Sequence, residues 1–146
     1  MIDDVTFSET PDNELILSNQ TFGGWWLGYQ LTGDLGCDYT LYPMSQASAM
    51  PYRIEGVVRN SGIQTQNNIT LHVDIEEDNT SNITSLSSSP ISLSMLQNDT
   101  VATTTNFAPS NMGLYNMSYW ATSDSFPTTD TTTFSTIVTA VSYTHL

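Results

Sequence analysis

The sequence predicts an all-β protein built as an antiparallel β-sandwich. Apolar and polar residues alternate with a period of two between Tyr52 and Glu76, which is the pattern of strands that bury one face. Turn signals recur about every 8–15 residues, close to the rhythm of a sandwich. A sheet with one apolar face must bury that face against another layer. No segment shows the apolar period of a helix.

Two alternating runs, 52–59 and 69–76, give the clearest strands, and residues 60–62 lie between them. We expect them to pair, with Arg53 or Arg59 across from Asp74 or Glu76. The linking Asn-Ser-Gly supplies residues that tolerate a positive φ, as a tight reversal requires.

The remaining strands are shorter or weaker in pattern. They are expected at 4–7, 15–17, 39–42, 83–86, 91–95, 101–107, 114–122 and 131–140. A core is predicted from the inward positions, and Trp120 is interpreted as a core residue. The predicted core residues are Ile54, Val58, Ile69, Leu71, Val73, Ile75, Leu93, Phe107, Tyr119, Phe134 and Val138.

Composition excludes some partners. The net charge is −13, with 15 acidic residues against 2 basic ones. Such a surface repels nucleic acid and anionic lipid. No run approaches the roughly 18 apolar residues of a membrane span, so we expect no membrane insertion.

From Asp38 onward the chain resembles a known module family. The run 38–46, Asp-Tyr-Thr-Leu-Tyr-Pro-Met-Ser-Gln, precedes Val-Val-Arg-Asn-Ser-Gly at 57–62 and Asn-Ile-Thr-Leu-His-Val at 68–73. This order is similar to immunoglobulin-like, CARDB-like adhesion modules of secreted proteins from bacteria with type IX secretion. The resemblance implies an immunoglobulin-like antiparallel β-sandwich, here with a Gly- and aromatic-rich N-terminal loop region. It also implies a non-catalytic spacer or adhesion unit.

One candidate metal site lies in the acidic run that follows the second clear strand. Asp74, Glu76, Glu77 and Asp78 offer the oxygen ligands that calcium prefers. The run lacks the interrupted Asp-x-Asp-x-Asp-Gly spacing of a calcium loop. The alternative is a solvated hairpin tip that discourages aggregation at the sheet edge. We therefore expect no cofactor, with calcium as the open alternative.

A second candidate site is aromatic. Trp25, Trp26 and Tyr29 lie among glycines and offer flat apolar faces for a sugar ring. The alternative is a loop whose indoles close one end of the sandwich. A carbohydrate-binding module using these rings is thus the second functional hypothesis.

Catalytic patterns are absent from the sequence. No Gly-x-Ser-x-Gly elbow is present. His72, expected on a wet strand face, has no second His or Cys nearby and is not interpreted as a zinc site. Six Asn-x-Ser/Thr sequons are consistent with chance in so Asn- and Thr-rich a chain. We expect a protein that is not an enzyme, whose partners are neighbouring domains, surface glycans or proteins.

The domain prediction is one module over residues 1–140, clearest from 38 to 140. Residues 141–146 resemble the translation of a sequencing-library transposon end and are interpreted as a non-native scar. No signal peptide is recognised at the start, and an extracellular or cell-surface location is expected with a targeting signal further upstream.

Overall fold

The computed structural model describes residues 8–22 and 41–140. The predictions for the strand at 4–7, for Trp25, Trp26 and Tyr29, and for residues 141–146 lie outside this part. The elements are β1 (Leu15–Thr21), β2 (Leu41–Pro43), α1 (Met44–Ala47), β3 (Glu55–Asn60), β4 (Gln66–Glu77), β5 (Asn82–Ser87), β6 (Ile91–Leu93), β7 (Asn98–Ala102), β8 (Gly113–Thr122) and β9 (Thr132–Thr139).

The described strands form two sheets. One has the order β1-β3-β7, and the other has the order β2-β9-β8-β4-β5, with β6 also paired to β4. Strands β2 and β9 run parallel, and the other pairings within the described chain are antiparallel. This division of strands is that of an immunoglobulin-like sandwich. The predicted fold class is therefore confirmed.

The core lies between the two sheets. Ile69, Leu71, Val73 and Ile75 are inward at every second position of β4 and are at most 1% exposed. Ten of the eleven predicted core residues are buried, and Phe134 is partly buried against them. In β8 the buried positions are Tyr115, Met117, Tyr119 and Ala121.

Trp120 corrects the prediction for β8. Because side chains alternate along a strand, the burial of Tyr119 and Ala121 places Trp120 on the outer face, where it is half-buried. Its indole stacks on the imidazole of His72, with ring centroids 5.5 Å apart and planes inclined by 16°.

The expected pairing of the two clearest strands is wrong. Strand β3 pairs with β1 and β7, whereas β4 pairs with β5, β6 and β8 in the other sheet. Residues 61–65 therefore carry the chain from one sheet to the other. The guanidinium of Arg53 contacts the buried carboxylate of Glu55 instead of Asp74 or Glu76.

The linking turn also differs from the expectation. Neither Asn60 nor Gly62 is among the described residues with a positive φ. The buried Asn60 amide instead donates to the oxygens of Gln64 and Leu93, and its Oδ1 accepts the N–H of Gly62. Gly62 is required for space, because a Cβ there would lie 2.6 Å from the main-chain oxygen of Asp12.

A tyrosine corner closes the opposite end of the core. Tyr115, near the start of β8, donates its hydroxyl hydrogen to the main-chain oxygen of Asn111 at 2.8 Å. A tyrosine bonded to backbone a few residues upstream is a hallmark of immunoglobulin-like sandwiches. The bond fixes the loop that enters β8.

The element boundaries differ modestly from the predictions. Strand β7 runs from Asn98 to Ala102, so it begins three residues before and ends five residues before the expected strand at 101–107. The four-residue helix α1 was not expected from the sequence. Within the described ranges, no helix has the length and apolarity to cross a membrane.

Candidate functional site

The candidate site is a groove of about 380 Å³ beneath β5. It exists because the two sheets differ in width, so that β5 extends past the three-stranded layer. Inward positions of β5 would be core in a fully covered sheet, yet Asn82 and Thr84 are exposed and Leu86 is only half-buried. The groove is lined by Ile75, Glu77, Asn82, Thr84, Leu86, Asn106, Phe107, Ala108, Ser110 and Tyr115.

The groove combines an apolar floor with a polar rim. Ile75, Phe107 and Tyr115 come from the core and form the floor. Asn106 and Ser110, on the segment between β7 and β8, supply an amide and a hydroxyl. A concave surface with apolar walls and a few polar groups is the usual form of a binding site.

Glu77 gives the groove its charge. It is only 6% exposed, because the alternation of β4 turns it inward at the last residue of the strand. Its Oε2 accepts the hydroxyl hydrogen of Thr80 at 2.8 Å. Burial raises the pKa of the nearby Tyr115 hydroxyl, the hydrogen bond that the Asn111 N–H donates to the phenol oxygen opposes that rise, and the Glu77 carboxylate adds to it.

The acidic run does not converge on one point. Asp74 and Glu76 lie on the outer face of β4, Glu77 faces inward, and Asp78 follows in the turn. Asp74 already accepts a hydrogen bond from Ser85. In residues 8–22 and 41–140, no three His, Cys, Asp or Glu side chains come together to hold a metal ion. The calcium hypothesis stays a prediction.

The outer face of the same sheet is polar around the stacked pair. His72 lies on this face as expected, and its Nε2 is 2.9 Å from the hydroxyl of Thr122. Further along, Ser118 and Thr133 form a hydroxyl pair at 2.9 Å, and Ser135 donates to Asn116. These hydrogen bonds link neighbouring strands, and the polar side chains on this face thus bond to one another.

The groove was missed by the sequence interpretation. The aromatic candidates Trp25, Trp26 and Tyr29 lie outside the described residues and stay predictions. One signal pointed to the groove: residues 82–87, Asn-Ile-Thr-Ser-Leu-Ser, are strand-like yet poor in apolar residues on either face. That composition indicates a strand that is incompletely covered.

No family model and no curated protein matches the chain. Two similar solved structures are distant. A family 123 glycoside hydrolase from Clostridium perfringens is 13% identical with a TM-score of 0.49, and the match covers 86% of this chain. The chain spans only 27% of that enzyme's length. The putative ApaA protein from Bordetella pertussis is 11% identical with a TM-score of 0.46, covering 89% of this chain and 98% of that one.

Proposed function

We propose that the chain is a non-catalytic, extracellular β-sandwich module that acts as a spacer or adhesion unit of a larger surface protein. The observation that carries the proposal is the position of the two ends of the described chain. The sequence resemblance to CARDB-like adhesion modules agrees with it and is part of the same proposal.

The chain enters and leaves at opposite ends of the sandwich. At entry, Leu15 lies opposite Asn60, and the amide of Gln66, at the start of β4, donates to Asn13. At exit, Val138 lies opposite Gly113, two residues before Tyr115, which pairs with Glu77 at the end of β4. Strand β4 has 12 residues, so the two ends are roughly 36 Å apart at about 3.3 Å per residue. A module whose two ends lie this far apart adds its full length to a protein built of consecutive domains.

The pairing of β2 with the last strand also suits a module under tension. Strand β2 runs parallel to β9 over Leu41↔Ile137 to Pro43↔Thr139. When the chain ends are pulled apart, β1 is drawn along β3 first, because β1 is the first described strand. Once β1 is detached, β2 and β9 are drawn in opposite directions along their axes. Their hydrogen bonds are then loaded together in shear, which resists more force than opening them one at a time.

Single-molecule force spectroscopy tests this proposal. One sample is held by handles at residues 8 and 140. The control is held at Met112→Cys and Ala140→Cys, where β8 and β9 meet at one end and are unzipped, with Cys37→Ser in both. We expect clearly higher unfolding force for the first geometry. Equal unfolding force in both geometries would contradict a mechanical role for the module.

The carbohydrate-binding alternative rests on Trp25, Trp26 and Tyr29 and keeps its own test. Titration of tryptophan fluorescence with a panel of glycans would show a concentration-dependent change if those rings bind sugar. An unchanged spectrum would remove this alternative and leave the spacer proposal intact.

A further inference from the structure

Strand β5 ends the order of its sheet, and its outer edge is open over part of its length. The main-chain oxygen of Ser87 faces that edge, because it accepts the N–H of Thr104. Backbone groups of an antiparallel strand alternate in direction from residue to residue. Ile83 and Ser85 therefore present their N–H and C=O groups to the same open side, and no other described residue bonds to them.

This edge lacks the features by which proteins block further pairing. Protected edges carry charges, proline or bulges. Residues 82–87 contain no charged residue and no proline, and Ile83 is 62% exposed. The pairing of β5 with β4 is regular from Asn82↔Glu77 to Ser87↔His72. The edge is therefore a regular template for one more strand.

The two faces of an added strand would meet different surroundings. On the inner side, Asn82, Thr84 and Leu86 line the groove that holds Glu77. On the outer side, Ile83 and Ser85 lie beside Glu76 and Asp74 of β4. Alternate side chains of an added strand would enter the groove or lie near these two carboxylates.

The negative charge around β5 determines which kind of strand can pair with its edge. The three carboxylates around β5 have no lysine or arginine nearby, since Arg53 and Arg59 lie just before and within β3 of the other sheet. The imidazole of His72, opposite Ser87, contacts Thr122 and Trp120 instead. A second copy of this chain would bring the same carboxylates and a further net charge of −13 to the contact. Like charges across strands are destabilising, whereas opposite charges attract.

We propose that the β5 edge binds an extended, basic peptide segment of a partner protein as an additional strand. Main-chain hydrogen bonds to Ile83 and Ser85 supply affinity, and alternate side chains supply selectivity, as in other β-augmentation sites. Lysine or arginine side chains complement Asp74, Glu76 and Glu77. This proposal does not depend on the spacer function.

The test uses a fluorescein-labelled heptapeptide of alternating lysine and valine as the probe, with fluorescence anisotropy as the readout. Two variants form a matched pair. Both Ser85→Ala and Ser85→Pro lose the hydroxyl bond to Asp74, but only proline removes the N–H that faces the open edge. We expect the alanine variant to bind within twofold of the original protein and the proline variant to lose at least tenfold in affinity.

Further measurements distinguish β-strand pairing of the probe with β5 from simple charge attraction. We expect amide exchange at Ile83 and Ser85 to slow when the probe binds, and Glu76→Gln to weaken binding about two- to fivefold. A probe with alternate residues replaced by proline should not bind. The proposal is overturned if the probe fails to bind at millimolar concentration, if Ser85→Pro binds equally well, or if a glutamate–valine probe binds as tightly. Dimerisation of the chain through β5 would likewise overturn it, because the edge would then belong to a second copy.

Discussion

The hydroxyl of Tyr115 donates to the main-chain oxygen of Asn111 at 2.8 Å and ties the loop before β8 to the core. The ring itself is buried against Phe107, with centroids 5.6 Å apart. The hydroxyl oxygen also accepts the N–H of Asn111 at 3.3 Å. Phenylalanine at this position keeps the packing and removes only the hydrogen bonding with Asn111.

We expect Tyr115→Phe to lower the free energy of unfolding by about 1 kcal/mol, the usual worth of an intramolecular hydrogen bond. Urea denaturation measures this loss. The control is Thr133→Ala, which removes the exposed hydroxyl contact with Ser118 and should cost less than about 0.5 kcal/mol. Equal losses for the two variants would show that the corner does not stabilise the fold.

The close packing of Gly62 against another backbone gives a second prediction. A Cβ on Gly62 would lie 2.6 Å from Asp12 O and 2.8 Å from Glu14 N, and neither atom moves without shifting the chain. We expect Gly62→Ala to cost about 1–3 kcal/mol, as other overpacked sites do.

Gly56→Ala is the matched control for this prediction. Its added Cβ would meet mainly the end of the Leu17 side chain at 2.9 Å, which can rotate away. Thermal and urea denaturation should therefore rank Gly62→Ala as the more damaging change. The reverse order would contradict the packing described for the turn.

How far the sequence predicts this structure depends on what periodicity encodes. Alternation in β4 identified Leu71 and Val73 as buried, because only one face of a strand can meet the core. Alternation does not say which strand lies alongside. The expected pairing of β3 with β4 is therefore wrong, because the chain passes to the other sheet after Asn60. Trp120 is expected in the core because it lies inside a strand, but its parity places it on the outer face beside His72.

For a related reason, the sequence carries only a partial signal for the groove, in the apolar-poor strand at 82–87. The groove depends on β5 extending beyond the three-stranded sheet, and sheet width follows from which strands pair across long separations. The sequence places Glu77 only in an acidic run, without showing that it turns inward while Glu76 turns out. Strand parity at the end of β4 separates these neighbours.

The stacked rings of His72 and Trp120 give a third prediction. The two residues are direct cross-strand partners on the outer face. A double-mutant cycle with His72→Ala and Trp120→Ala should give a coupling free energy of about 0.2–1 kcal/mol, the range for cross-strand pairs. A cycle on His72 and Ser135, which are not partners, should give none. Zero coupling for the stacked pair would contradict the contact.

Two of the buried phenols predict a loss of stability at alkaline pH. Burial raises the pKa of Tyr42 and of Tyr115 above the ordinary value of 10.0. Between pH 10.0 and the raised values, the folded protein binds more protons than the unfolded chain, so the free energy of unfolding falls as pH rises. The stabilising contribution is fully present below pH 10.0 and is lost as pH passes through the raised values.

Urea denaturation between pH 8 and pH 11 measures this effect. The double variant Tyr42→Phe, Tyr115→Phe is less stable at pH 8, because it loses the hydroxyl bonds to Met50 and Asn111. Its stability should nonetheless decline less steeply above pH 10.0 than that of the original protein. If the free energy of unfolding of the two proteins falls equally steeply above pH 10.0, these two phenols do not cause the loss of stability at alkaline pH.

The assignment of β3 and β4 to different sheets is the claim on which the groove, the open edge and the end-to-end threading depend. Nuclear Overhauser contacts between backbone α-protons test it directly on a labelled sample. We expect contacts for Val73 with Tyr119 and for Ile75 with Met117, the odd-numbered pairs of β4 and β8. Contacts between α-protons of β3 and β4, such as Val58 with Leu71, would contradict the two-sheet arrangement described here.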